Sequence, residues 1–322
     1  SLVLIKGVKY SGEFLKVLEP LIIYKDNGEY TNELLKIYDK ETKNWNGKLY
    51  LVATPIGNLD DITLRALKIL KEVDLIAAED TRHTLGLLNH FEINKPLISY
   101  YKQTEKKRSP ILVEKLLEGK NIAIVSDAGV PGISDPGEEI VREAINNNIE
   151  IIPIPGACAF VNALIGSGLD TREFSFIGFL SANQKERKDK LNEIKFEKKT
   201  LIFYEAPHKL KITLEAMLEV FGDRKIVLAK ELTKIHEEFI RGNISTILEQ
   251  IGDNIKGEFV VLVNGAEKSE KEYEISNLNE LTLEEHFEFY KNQGLDKKEI
   301  IKKISKDRNV GKNEIYQYFI NK

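Results

Sequence analysis

Between residues 48 and 155 short apolar runs alternate with longer stretches in which apolar residues recur every three or four positions. The short runs, at 48–54, 73–79, 96–101, 121–127 and 150–155, are rich in Val, Ile and Leu and read as buried strands. The stretches between them, at 62–72, 82–91, 108–119 and 136–148, read as amphipathic helices, with Gly119 and Asn146 to Asn148 as stop signals. Regular strand–helix alternation predicts a parallel sheet with right-handed crossovers. A helix expected at 157–168 leads into a second block, with strands at 174–180, 199–206, 225–232, 237–243 and 258–265. The pair within 225–243 has no helix between its members, which predicts a hairpin and so a mixed sheet. The fold expected is α/β: one α/β domain over 47–156, a second over 157–268, and a cleft between them. Residues 269–322 read as a small helical tail with three short helices, at 281–294, 296–309 and 312–321.

Bulk properties narrow the classes. With 322 residues, 42% hydrophobic and 30% charged, the chain is long enough for two α/β domains and an appendage. No apolar run approaches the ~18–20 residues that span a bilayer. The single cysteine, Cys158, excludes an intrachain disulfide, and the cytoplasm is the expected compartment. Five histidines (His83, His90, His208, His236 and His286) show no ligand spacing, so no metal is expected.

A formal net charge of −4 argues against a general electrostatic grip on nucleic acid, but the distribution is uneven. Residues 271–296 hold two lysines against seven acids, whereas 297–322 hold eight Lys/Arg against three. A basic patch on an acidic protein suits a partner met in one orientation. The tail itself reads either as a helix-turn-helix-like nucleic-acid module or as a docking flap.

The chemistry concentrates where strands end. Thr54-Pro55-Ile56-Gly57-Asn58 follows the first strand and carries no Gly-x-Gly-x-x-Gly run, which excludes a dinucleotide-dependent oxidoreductase of that type. The fourth strand runs into SDAGVPGISDPG (126–137), twelve residues with three Gly, two Pro and two Asp, longer than the ~2–6 a connector needs. Ligands gather outside the carboxyl ends of strands in open α/β sheets, so both loops are site candidates. AEDTR (78–82), PGACA (155–159), YEAPH (204–208) and ELTKIHEE (231–238) complete the set. Asp135 reads as a cap for the helix at 136–148, and Glu79, Asp80 and Arg82 as a charged group of which two form an ion pair.

These six motifs, in their order along the chain, resemble the tetrapyrrole-methylase superfamily of S-adenosylmethionine-dependent methyltransferases. More narrowly they are similar to its bacterial ribosomal branch, the 16S rRNA (cytidine 2′-O)-methyltransferases. The resemblance spans roughly 47–265 and implies two α/β domains, an S-adenosyl-L-methionine donor in the cleft, a homodimer, and 16S rRNA within the small ribosomal subunit as partner. It implies cofactor contacts at Pro55, Asp127, Gly129, Val130, Cys158, Ala159 and Tyr204. Substrate contacts are expected at Glu79, Arg82 and His208. Lys234 is the expected base or hydroxyl-orienting residue, tuned by Glu237 or Glu205. Phosphate contacts are expected from the tail, from Lys106, Lys107 and Arg108, and from Lys185, Arg187 and Lys188.

Tyr101 to Thr104, Ser181, Lys209 and Lys230 depart from the family pattern; where lysine replaces arginine the charge stays but the bidentate fork is lost. Rival readings are a tetrapyrrole (uroporphyrinogen or precorrin) methyltransferase and a non-catalytic RNA-binding assembly factor on the same fold. Residues 1–46 read as an extension containing a strand, an Asp26-Asn27-Gly28 turn and a helix, and the only methionine is Met217. The extension resembles the C-terminal end of an RNA adenine methyltransferase and is expected to be an inert fusion remnant.

Overall fold

The computed structural model describes residues 46–252 and 255–319. The strand–turn–helix expected within residues 1–46 lies outside the described residues. The first sheet consists of β1 (Leu49–Val52), β2 (Leu75–Ala78), β3 (Leu97–Ser99), β4 (Ile122–Val125) and β5 (Ile151–Ile154), in the order β3-β2-β4-β1-β5. All its pairings are parallel, with Leu49 in register with Ile122 on one side and Ile151 on the other. The Val/Ile/Leu-rich β4 is buried at all four positions, as an inner strand covered on both faces must be. Pro153 has no N–H for a ladder and sits on β5, an edge strand.

The connecting helices are α1 (Leu64–Glu72), α2 (Thr81–His90), α3 (Glu105–Leu117) and α4 (Glu138–Asn146). Helix α1 starts two residues later than its pattern predicts, because the Thr63 hydroxyl accepts the Ala66 N–H at 3.1 Å and caps it. Helix α3 starts earlier than predicted and runs through Pro110, gaining a first turn that carries Glu105. The chain passes from β1 over β4 to β2, then from β4 back past β1 to β5. The order therefore reverses between β1 and β4. Just beyond their ends Thr54 and Gly129 form an antiparallel bridge, with N–H···O distances of 2.9 and 3.1 Å.

Helix α5 (Ala159–Ser167) leads into a second sheet of β6 (Phe174–Phe179), β7 (Thr200–Glu205), β8 (Lys225–Lys230), β9 (Glu238–Asn243) and β10 (Phe259–Val263). Its order is β6-β7-β10-β8-β9; β6/β7 is parallel and the other pairings are antiparallel, including the expected β8–β9 hairpin. Helices α6 (Gln184–Glu193), α7 (Pro207–Phe221) and α8 (Ile244–Gln250) pack on one face with Leu214, Met217, Leu228 and Val261. The other face meets α5 through Ala163, Leu164, Ile202 and Val260.

The tail is a four-helix unit, α9 (Glu270–Glu280), α10 (Leu283–Asn292), α11 (Lys297–Asp307) and α12 (Lys312–Tyr318), around Leu278, Tyr290, Ile300, Ile301, Ile304 and Ile315. Sequence periodicity finds the last three. Helix α9 buries only Leu278 and so carries almost no apolar stripe. Ser269/Glu272, Thr282/Glu285 and Asp296/Glu299 form reciprocal capping boxes that start α9, α10 and α11.

Candidate active site

The two sheets meet across a cleft of about 560 Å³. From the first sheet it receives only residues just past strand ends: Ile56 after β1, Glu79 after β2, Asp127 to Val130 and Ile133 to Asp135 after β4, and Cys158 and Ala159 after β5. From the second come Phe179, Tyr204 to His208, Leu232 and Glu258 to Val260. Of the sequence candidates, Glu79, Asp127, Gly129, Val130, Cys158, Ala159, Tyr204, Glu205 and His208 line this cleft. Pro55, Arg82, Lys234 and Glu237 do not.

One wall is acidic. The Asp80 N–H donates to Asp127 Oδ1 at 3.0 Å, and the Asp127 N–H points to Glu79 Oε2 at 3.5 Å, which holds both carboxylates at the sheet edge. Asp135 joins them. It does not cap α4 as its position in the sequence suggests: the helix begins at Glu138 with Gly137 before it, and the Gly137 N–H donates to Glu105 Oε1 of α3 at 2.8 Å. Glycine is required there, because φ is +151° and a Cβ would stand 3.0 Å from the Gly132 backbone. Released from capping, Asp135 faces the cleft. Burial, then the charges of Glu79 and Asp127, push its pKa up to about 7. Glu79 is raised as well, by burial first and by Asp127 second.

The opposite wall is aromatic. Tyr204 meets Phe176 and Phe179 edge-on, with centroids 5.0 and 5.6 Å apart, and Phe160 leans on Phe176 at 4.6 Å. Burial pushes the Tyr204 hydroxyl up to about 12, with Cys158 and Asp135 adding to the shift. Burial likewise raises the Cys158 thiol, so it stays protonated and acts as a small lining group.

The expected catalytic group is arranged differently. Lys234 Nζ donates to Glu231 Oε1 at 3.0 Å and Glu258 Oε2 at 2.9 Å, and these pairs outweigh desolvation to raise its pKa. Its partners are thus Glu231 and Glu258, in place of Glu237 or Glu205. Glu237 Oε2 accepts the Thr233 N–H at 2.5 Å. Glu205 is buried, and its two oxygens accept from the Ala206 N–H at 2.9 Å and the Thr213 hydroxyl at 2.6 Å. A cationic lysine is a donor only, so Lys234 in this state cannot take a proton.

Other charges sort in the same way. Arg82 forms the expected ion pair, with Asp80 at 2.7 Å, and stays exposed outside the cleft. Arg187, expected on phosphate, is buried and donates to the carbonyls of Ser181 and Ala182 at 3.2 and 3.3 Å; Lys188 pairs with Glu219 at 2.7 Å. Burial withdraws Arg187 from a partner, whereas the Lys188 pair is partly exposed. Lys106 and Lys107 on α3 are exposed.

Sequence reasoning missed Phe179, Glu258, Leu232 and the cleft-facing role of Asp135. A signal existed for Asp135 alone, as the second aspartate of a loop too long for a connector. Phe179 reaches the site through pairing of β6 with β7, and Leu232 and Glu258 through pairing of β10 with β7 and β8, which no local pattern reveals.

Residues 48–248 match the family of tetrapyrrole (corrin/porphyrin) methylases. The chain is 48% identical over 282 residues to ribosomal RNA small subunit methyltransferase I of Bacillus subtilis, covering 86% of this chain and 97% of that one. The chain belongs to the tetrapyrrole methylase family, in its ribosomal RNA small subunit methyltransferase I branch. The protein of the same name from Synechocystis is 45% identical, covering 84% of this chain and 96% of its own. Among solved structures the methyltransferase CobJ has a TM-score of 0.52 at 19% identity, over 68% of this chain and 95% of that one. Uroporphyrin-III C-methyltransferase of Thermus thermophilus, solved with S-adenyl homocysteine, has a TM-score of 0.50 at 17% identity, over 67% and 97%. The two-sheet architecture is the fold of this methylase family.

Proposed function

We propose that the protein uses S-adenosyl-L-methionine to methylate the ribose 2′-oxygen of a cytidine in the decoding region of 16S rRNA, in the small ribosomal subunit, as a cytoplasmic homodimer. The observation that carries this reading is the cleft itself: strand-end loops of both sheets meet around a volume in the range of small-molecule sites, with carboxylates on one wall and aromatics on the other. The similarity to the ribosomal RNA small subunit methyltransferases, over 86% and 84% of this chain, supports the choice of substrate.

The residues present fit the donor. Its sulfonium and ammonium charges match the wall of Glu79, Asp127 and Asp135, and its adenine suits an apolar lining of Ile56, Val130, Tyr204, Leu232 and Phe259. Small residues at Gly129, Cys158 and Ala159 keep the backbone within reach of a ligand. When bound, the donor supplies a methyl group on a cationic sulfur. The chain must hold the acceptor hydroxyl in line with it, exclude water and receive the hydroxyl proton. Alignment of this kind contributes ~7–11 kcal/mol to barrier lowering, more than a general base does. Glu79 and His208, on opposite sides of the cleft, are the cleft-lining substrate contacts, and Arg82 with Lys106 and Lys107 offers cations outside it for phosphates. The exposed Lys297, Lys298, Lys302 and Lys306 of α11 add a basic surface on the tail. The second copy is supported by α5, an almost wholly apolar helix whose Val161 and Ile165 lie exposed four residues apart.

Incubating the protein with methyl-labelled donor and small subunits from a strain lacking the modification, then mapping the labelled nucleotide by mass, tests the reading. Label on a cytidine ribose in the decoding region is the expected result. Label elsewhere, or none, overturns it.

A further inference from the structure

We propose that Asp135 is the general base of the methyl transfer and accepts the proton of the acceptor hydroxyl. This deepens the reading as a ribose methyltransferase and rests on it. A general base must reach the reacting hydroxyl, keep a lone pair free to receive a proton, and ionise near the working pH.

The proton acceptors that line the cleft can be taken in turn. Glu205 has both oxygens committed to the Ala206 N–H and the Thr213 hydroxyl. Glu258 holds the Lys234 ammonium. Asp127 accepts the Asp80 N–H, and Glu79 is turned toward the Asp127 N–H. His208 sits at the exposed start of α7. Asp135 alone among these carboxylates has no hydrogen bond or ion pair to any described residue, and it is half-buried in the cleft wall.

Its placement is built into the loop. Ser134, just before it, has φ of +67°, a left-handed conformation uncommon for a residue other than glycine. The same loop is closed by the Gly132 N–H donating to the Pro136 carbonyl at 3.1 Å, and it abuts the second sheet where Gly178 leaves room for the Ser134 hydroxyl. Both ends of the loop are fixed, so the carboxylate between them is directed into the cleft and not into solvent.

The groups facing it are Glu79 from the end of β2, Asp127 from the end of β4, and Tyr204 from β7. None is a cation, which keeps the proton affinity of Asp135 in the neutral range. In the transfer, the hydroxyl oxygen bonds to the methyl carbon and the carbon–sulfur pair remains on sulfur, which becomes a neutral thioether. The hydroxyl proton passes to the Asp135 carboxylate, and thence to water after product leaves.

Asp135→Asn keeps shape and removes the acceptor. In single-turnover reactions on small subunits with saturating donor, the wild-type rate is expected to rise with pH through an apparent pKa below that of Asp135 in the donor-free protein, because the bound donor places a cation beside it. D135N is expected to lose about 10²–10⁴-fold in rate and the pH-dependent limb. D135E, which retains a carboxylate, should recover part of the rate with a displaced pH profile. Donor binding without RNA gives a second readout. Placing a cation beside Asp135 lowers its proton affinity, so calorimetry at neutral pH in buffers of different ionisation enthalpy should show greater proton release by the wild type than by D135N.

A D135N rate within about threefold of wild type, an unaltered pH limb, or equal proton release by both proteins overturns the assignment, because a missing base has no substitute of this size. In that case wild-type methylation of the subunit leaves the parent reading standing. A wild type that neither binds donor nor methylates overturns the parent reading instead.

Discussion

The loop at 126–137 and the hairpin turn at 231–237 border the same cleft, and both hold dense charge on a strained backbone. Ser134 has φ of +67°, while Glu231 and Thr233 have +49° and +66°. Their charges are handled in opposite ways. In the hairpin Lys234 bridges Glu231 and Glu258, Glu237 takes the Thr233 N–H, and Glu231 also takes the Glu258 N–H at 2.9 Å. In the loop Asp135 is left without a partner among the described residues, and its proton affinity rises. A charge withdrawn from water is kept either by pairing it or by letting it neutralise. Pairing yields architecture. Neutralising yields a group that changes protonation near neutral pH.

The largest expected effect breaks the paired side. Glu205→Ala strips the acceptor from the part-buried Ala206 N–H and the buried Thr213 hydroxyl, and should destabilise the protein by about 3 kcal/mol in urea unfolding. Next comes the contact between the hairpin and the first domain. A Cβ on Gly57 would stand 2.5 Å from Lys234 Cγ and 3.1 Å from the Leu232 carbonyl. Gly57→Ala should therefore cost ~1–3 kcal/mol and loosen the Lys234 pairs, seen as a lower Tm and weaker donor binding.

The unpaired side should respond with the opposite sign. Because the folded-state pKa of Asp135 is about 7 against an ordinary 3.8, the folded protein binds the extra proton between those values. Its contribution to stability is fully present below the lower value and is lost as pH rises toward the upper one. D135N should remove that decline, so its Tm advantage over wild type grows from acid to mildly alkaline pH. A Tm difference that stays flat across this range would mean that Asp135 does not titrate there.

The smallest effect is expected at Arg82. Its pair with Asp80 is exposed, so Arg82→Ala should leave the Tm unchanged. If Arg82 meets phosphate, the variant should weaken subunit binding and lower its salt dependence.

Much of this fold was legible because its strands are short, buried and separated by periodic helices. The antiparallel β8–β9 hairpin followed from the absence of a helical stretch between 225 and 243. Helices α6, α8 and α9 escaped because they bury few residues, Arg187 and Leu191 in the first, Ile244 and Ile247 in the second and Leu278 in the third. Arg187 itself shows the limit of reading charge as surface: its neighbours in sequence are polar, yet α6 folds it against the carbonyls of Ser181 and Ala182.

By itself the sequence determined which segments are strands and that charged, glycine-rich loops follow their ends, since both are set by local periodicity and turn chemistry. Tertiary structure decided which charges meet. Glu258 reaches Lys234 and Glu105 reaches Gly137 across 24 and 32 residues, and those encounters pair one lysine and free one aspartate. Electrostatic energy depends on distance and burial, and neither is encoded in the spacing of residues along the chain.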